Sequence, residues 1–259
     1  MNTEPSFLSK NRIKELARLK QKDNRLQEKL VVVDGFRTLE QIKFYGINPL
    51  EQYLLEGMQP IPIWDNIPVY YITEWDMHKI CDSEHPSGFA ALFPIPQARK
   101  VKFNCAFYLD RISDPGNLGS IFRIAAAFSI DTLLLSPDCV EVSSPKVIRS
   151  SSGSVYKVPF RQTNISELKA LKGRIILADA HKGQALTKFN FQPEEKLIIV
   201  LGSEAHGISS EVSLLTNEAL HIEMSSAIES LNVSISAAII AYHLFIQRNT
   251  NNLTKKRSI

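Results

Sequence analysis

No stretch of this sequence approaches the roughly 18 uncharged apolar residues needed to span a bilayer, and the opening MNTEPSFLSKNR lacks the apolar core of a secretory signal. A cytoplasmic protein with no membrane partner is therefore expected. Cysteine is scarce: Cys81, Cys105 and Cys139 are far apart and never spaced as CxxC. Neither a disulfide framework nor a zinc site is indicated, and buried free thiols are the expectation. There is also no GxGxxG following a strand and no GxxxxGKS/T. A conventional dinucleotide site and a nucleoside-triphosphate enzyme both go unsupported. Internal repeats and low-complexity tracts are absent. The net charge of +3 is too small by itself to indicate nucleic acid, because a basic excess matters where it is concentrated.

What is present reads as an ordinary globular chain, 44% hydrophobic and 22% charged, with enough residues for a small domain followed by a larger one. Basic charge gathers at the N-terminus, where Lys10, Arg12, Lys14, Arg18, Lys20, Lys22, Arg25 and Lys29 face only Glu4, Glu15, Asp23 and Glu28. Lys255, Lys256 and Arg257 form a second cluster. Each is either a phosphate-binding surface or a plain solvated face. Residues 11–29 carry Ile13, Leu16 and Leu19 at helical spacing, and LVVVDG at 30–35 reads as a buried strand closed by a turn. Further strands are expected at 67–73 and 88–96. A linker with Pro94, Pro96, Arg99, Lys100 and Lys102 places a domain boundary near residue 100.

Beyond it, apolar strands at 105–109, 131–136, 174–180 and 196–202 alternate with helices at about 117–128, 145–150 and 232–248. Continuous apolar strands separated by helices predict a parallel sheet covered on both faces. Such sheets place ligands at the carboxyl ends of their strands, and three segments lie there. In DPGNLGSIFRIAAAF at 114–128, Pro115, Gly116 and Gly119 predict a tight turn, and Arg123 among apolar neighbours predicts a partly buried, paired guanidinium. A helix cap with a salt bridge is the plainer alternative. IVLGSEAHGIS at 199–209 ends a buried strand in a turn holding Glu204 and His206, which alone is an unremarkable loop. In HIEMSSAIESLNVSISAAIIAYHLFIQR at 221–248, Ser230 and Asn232 are suitable helix caps. Ser234, Ser236, Ala237, Ala238 and Ala241 make a face suited to close packing.

Taken in order, DPGNLGSIFRIA, LGSEAHGIS, and IEM followed by SLNVSISAA resemble the three motifs of the SpoU/TrmH family of RNA 2′-O-ribose methyltransferases. SPKVIRSSSGSVYKVPF at 144–160 resembles the family's intermediate segment. The resemblance covers about 105–248, and residues 13–37 resemble the ribosomal-protein-like RNA-binding domain of many members. It implies a small α/β RNA-binding domain at 1–98 and, at 99–259, an α/β-knot methyltransferase domain of the SPOUT type, with a deep trefoil knot around a parallel sheet. It implies S-adenosylmethionine (AdoMet) as methyl donor, no metal, a homodimer, and RNA as substrate, ribosomal RNA in preference to transfer RNA. Carried over residue by residue, Leu201, Gly202, Ile222, Met224 and Leu231 bind the cofactor. Arg123 is the proposed activator of the 2′-hydroxyl, aided by Asn117, Glu204, Ser230 and Asn232. Glu223 stands in place of the family's usual proline, Ser226 in place of a glycine, and Ser129 where a glycine often follows the first helix. A catalytically silent RNA-binding or ribosome-assembly factor with the same fold is the competing expectation.

Overall fold

The computed structural model describes residues 6–58, 63–191 and 195–257, with side chains described for 7–58, 63–191 and 195–248. The side chains of Lys255, Lys256 and Arg257 lie outside the described residues. The chain divides into two compact units, Met1–Gln97 together with Glu141–Lys157, and Ala98–Val140 together with Val158–Ile259.

The first unit runs β1 (Ser6–Phe7), α1 (Lys10–Arg18), α2 (Lys22–Glu28), β2 (Leu30–Asp34), α3 (Phe36–Phe44), β3 (Glu51–Leu55), β4 (Val69–Ile72), α4 (Glu74–Ile80) and β5 (Phe89–Pro94). Its mixed sheet has the order β1-β4-β3-β5-β2. Ile13 and Leu16 of α1 and Met77 and Ile80 of α4 bury against Val32, Tyr53, Ile72 and Leu92 of the sheet. The single helix expected over 11–29 is two. Asn24 Nδ2 donates to the Arg18 carbonyl at 2.9 Å, and Arg25 Nη1 donates to the carbonyls of Leu19 at 2.9 Å and Lys20 at 2.6 Å. These side chains take carbonyls that a continuous helix would have used. Arg25 is accordingly buried and paired with Glu141 at 2.6 Å, and Arg12 is paired with Glu51 and Glu15. The exposed basic surface of this region is Lys10, Lys14, Arg18, Lys20, Lys22 and Lys29.

The second unit carries β6 (Cys105–Asp110), α5 (Pro115–Ala127), β7 (Thr132–Leu135), β8 (Phe160–Gln162), α7 (Ile165–Ala170), β9 (Arg174–Ala178), β10 (Gln184–Ala185), β11 (Leu197–Gly202), α8 (Ser210–Ser213), β12 (Ala219–His221) and α9 (Val233–Arg257). Between β7 and β8, the helix α6 (Pro145–Ser150) belongs to the first unit. Where a single boundary at 98/99 was expected, the compact units differ from it in one respect: 141–157 packs with the N-terminal residues. Apolar packing, with Val147 and Ile148 fully buried, is joined by two ion pairs. Asp34, 3% exposed, is matched by Arg149 at 2.8 Å, and buried Arg25 needs Glu141. Each of these groups would be costly to leave unpaired.

All pairings in the second sheet are parallel, in the order β10-β12-β9-β11-β6-β7-β8. Every residue of β6 and β7, and all but the last of β11, is buried, as a sheet covered on both faces requires. From β12 the chain returns as α9 to pack on α5, with Ala237 and Ala241 fully buried. Of the small-residue face expected there, Ser234, Ser236 and Ala238 are half-buried. Cys81 and Cys105 are buried free thiols, whereas Cys139 is only half-buried.

Candidate active site

Gly202, the last residue of β11, sits in register with Asp110, the last of β6. The loops after these neighbouring strands, and those after β9 and β12, therefore open on one edge of the sheet. The loop after β11 is folded tightly on itself: Ser203 and Gly207 exchange backbone hydrogen bonds at 3.2 and 2.8 Å, and Ser203 Oγ accepts from the His206 amide at 3.3 Å. Asp110, 2% exposed, accepts from the Ser209 amide at 2.6 Å and ties the loop's far end to β6. A side chain at Gly202 would have no room, since a Cβ there would stand 2.3 Å from the Gly207 carbonyl carbon and 2.5 Å from the Ile208 nitrogen.

The residues expected to form a turn at 115–119 instead begin α5. Asp114 caps the helix by accepting from the Asn117 amide at 2.7 Å, and Pro115 occupies its first position, where its missing N–H costs nothing. This cap holds Asn117 at the sheet edge. On the opposite side Asn232 caps α9, its Oδ1 accepting from the Ser234 amide at 2.9 Å. The two amides converge on Glu204. Asn117 Nδ2 and Asn232 Nδ2 both donate to Glu204 Oε1, the latter at 3.3 Å, and Asn232 Nδ2 also donates to Asn117 Oδ1 at 3.0 Å. Three segments separated by up to 115 residues thus close one hydrogen-bonded triad. Glu204 Oε2 makes no hydrogen bond among the described residues.

Beside the triad lies a cavity of about 330 Å³, within the size range of small-ligand sites. All five residues expected to bind cofactor, Leu201, Gly202, Ile222, Met224 and Leu231, line it, as do Glu204 and Ser230. Ser230 is exposed, and the capping bonds at the start of α9 come from Asn232. Asp179 and His181, after β9, also line the cavity. The sequence reading missed them because ADAHKG has no fixed motif, although its place at a strand's carboxyl end was a usable signal. The donor set suits a cationic nucleoside: apolar walls for a purine, and the carboxylates of Asp179 and Glu204 for a positive charge.

Arg123 differs from expectation. It is exposed and makes no hydrogen bond or ion pair among the described residues. Six residues beyond Asn117, it lies about 9 Å further along the helix and about 120° around it. Ile121, Phe122 and Ala125 supply the buried face of α5, which turns Arg123 outward and leaves its guanidinium unclaimed. Glu223, in the place of the family's proline, fastens the strap after β10: Thr187 donates to its carboxylate through both its amide, at 3.3 Å, and its hydroxyl.

Residues 104–242, more than half of the chain, match the SpoU rRNA Methylase family. The chain belongs to that family. SpoU proteins are RNA methyltransferases, and the parallel seven-stranded sheet with its returning last helix is their SPOUT fold. Residues 10–91 match an MRM3-like substrate binding domain. Among SpoU relatives, the 23S rRNA (guanosine(2553)-2′-O)-methyltransferase of Bacillus subtilis is 25% identical over 240 residues, 90% of this chain and 95% of its own. A TrmH-family protein from Porphyromonas gingivalis is 29% identical with a TM-score of 0.78, covering 95% of this chain and 100% of that one. The SpoU methyltransferase AviRb of Streptomyces viridochromogenes, solved in complex with AdoMet, has a TM-score of 0.76 at 20% identity, over 92% of this chain and 99% of that one. At that identity the likeness speaks for the fold alone.

Proposed function

We propose that this SpoU protein uses AdoMet to methylate a ribose 2′-hydroxyl in ribosomal RNA, acting in the cytoplasm as a homodimer. The observation carrying the reading is the Asn117–Glu204–Asn232 triad beside a cavity lined by the strand-end loops. Residues Leu201, Gly202, Ile222, Met224 and Leu231 would hold the donor, whose sulfonium supplies an already activated methyl group, so the protein's task is chiefly alignment. Glu204, with Oε1 occupied by two amides, keeps Oε2 to accept a hydrogen bond from the substrate hydroxyl. Ser230 and the amides of Asn117 and Asn232 orient that hydroxyl. The free guanidinium of Arg123 binds the adjoining phosphate and offsets negative charge developing on the 2′-oxygen. The ribosomal preference draws on the name of the Bacillus relative and on the substrate-binding domain. The homodimer draws on an exposed apolar stripe of Ile235, Ile239, Tyr242 and Ile246 along α9, since contiguous apolar surface marks interaction sites.

Incubating the protein with AdoMet and unmodified ribosomal or transfer RNA, then digesting with nuclease, tests the reading. A resistant 2′-O-methyl dinucleotide from ribosomal RNA is expected. Base methylation, or no product despite donor binding, would overturn it.

A further inference from the structure

The cavity's acids are two, Asp179 and Glu204, and its hydroxyls three, Ser203, Ser230 and Ser236, but its one cationisable lining side chain among the described residues is His181. The segment bearing His181 is held in place from several sides. Asp179 Oδ1 accepts from the amides of His181 and Lys182 at 2.9 and 3.0 Å. The Asp179 amide donates to the Leu220 carbonyl at 3.0 Å, and the His221 Nδ1 lies 3.2 Å from the Gly183 carbonyl. His181 itself makes no side-chain hydrogen bond among the described residues, and its exposed ring stands at the cavity on a constrained turn. A donor molecule with a methionyl end brings one carboxylate into a site otherwise furnished with apolar groups, hydroxyls and acids. An anion placed beside two acids with no positive or N–H partner is disfavoured.

We infer that His181 is the recognition residue for the carboxylate of the methyl donor, and thereby sets the preference for an amino-acid-bearing nucleoside over its decarboxylated form. The inference rests on the AdoMet reading above. The loop's fixed backbone keeps the entropic cost of presenting the ring small, and an N–H to carboxylate bond is among the stronger polar contacts. Removing it should weaken binding about tenfold.

Calorimetric titration of the full chain with three ligands decides the matter: AdoMet, S-adenosylhomocysteine, which keeps the carboxylate, and decarboxylated AdoMet, which lacks it. His181→Ala is expected to bind the first two about tenfold more weakly and the third as wild type does, with His181→Gln recovering part of the loss through its amide N–H. Equal losses for all three ligands, or none for any, would overturn the assignment. An unchanged melting temperature separates ligand loss from unfolding, and an altered melt with ligand-independent losses counts against the inference. If wild type binds no AdoMet at all, the cofactor reading falls and this inference with it. Wild-type AdoMet binding that His181→Ala leaves intact sinks the inference alone.

Discussion

Replacing Gly202 with alanine adds one carbon where the 203–207 loop folds back on the end of β11. That carbon would lie 2.3 Å from the Gly207 carbonyl carbon and 2.5 Å from the Gly207 oxygen and the Ile208 nitrogen. All three are backbone atoms, so no side chain can swing aside. The 203–207 loop must retreat by roughly 1 Å to reach ordinary contact. It is the loop that carries Glu204, and its internal bonds between Ser203 and Gly207 at 3.2 and 2.8 Å make it move as a block. Overpacking of this kind costs about 1–3 kcal/mol of stability, which leaves a folded protein. Displacement of a positioning group by 1 Å costs about 100-fold in rate. Gly202→Ala should therefore fold, bind AdoMet more weakly, and transfer methyl groups about 100-fold more slowly in single-turnover assays with donor and RNA at saturation. Turnover within threefold of wild type, with circular dichroism unchanged, would show that the loop does not position Glu204 and would refute the reasoning.

Four other outcomes are expected. Arg123→Ala should retain AdoMet affinity in calorimetry and lose about 10²-fold or more in kcat; near-wild-type turnover would remove Arg123 from the reaction. Ser129 sits at φ 55 just past the end of α5, with the Ile130 amide bonded to the Ala125 carbonyl, a left-handed terminus that favours glycine. Ser129→Gly should raise stability by about 0.5–1 kcal/mol in denaturant titration, and destabilisation would contradict that. Hydrogen bonding from Thr187 holds the Glu223 carboxyl below its ordinary value of 4.5. A lowered folded-state pKa stabilises above the unfolded value and is lost as pH falls through the folded one, so Glu223→Gln should melt below wild type at pH 7 and converge with it in acid once pH has fallen through the lowered folded-state value; a gap that persists in acid would exclude the carboxylate as the cause. Ile239→Glu, in the middle of the exposed α9 stripe, should convert the proposed dimer to a monomer by light scattering, and an oligomeric state unchanged from wild type would count against that stripe as an interface.

The architecture of the second unit was legible because its signals are local. Runs such as LIIVL in β11 and TLLL in β7 are buried along their whole length, and apolar continuity is what parallel, doubly covered strands impose on a sequence. Short elements escaped: β1, β8 and β10 have two or three residues, too few for periodicity, and they exist because neighbouring strands offer them partners. β3 escaped for a different reason. EQYLL begins with two polar residues, yet Gln52 is 4% exposed because its side chain bonds the Trp64 backbone on both sides, at 2.9 and 3.2 Å. The assignment of 141–157 to the first unit was invisible for the same class of reason, since it depends on Asp34 meeting Arg149 and Arg25 meeting Glu141 across more than 100 residues.

At the site the contrast is between residues whose position follows from a cap and those whose position follows from a face. Asn117 sits three residues beyond its N-cap Asp114, and Asn232 is itself a cap. Helix starts are written in the sequence as Asp-Pro and Ser/Asn signals; the second placed Asn232 as a cap, whereas the first, read as a turn at 115–119, is the true start of α5. Arg123 follows no such rule. Its neighbours Ile121 and Phe122 are fully buried, and from hydrophobic surroundings alone a partly buried, paired guanidinium was the natural reading. Helical rotation decides otherwise: two fully buried neighbours on one side of α5 leave residue 123 on the other, at 100° per residue. A guanidinium turned outward and unclaimed avoids the desolvation penalty that a paired, buried one would bear, and it stays free for an anion arriving from outside the chain. The same features that made the sequence reading of its burial wrong strengthen the case that its partner is the RNA.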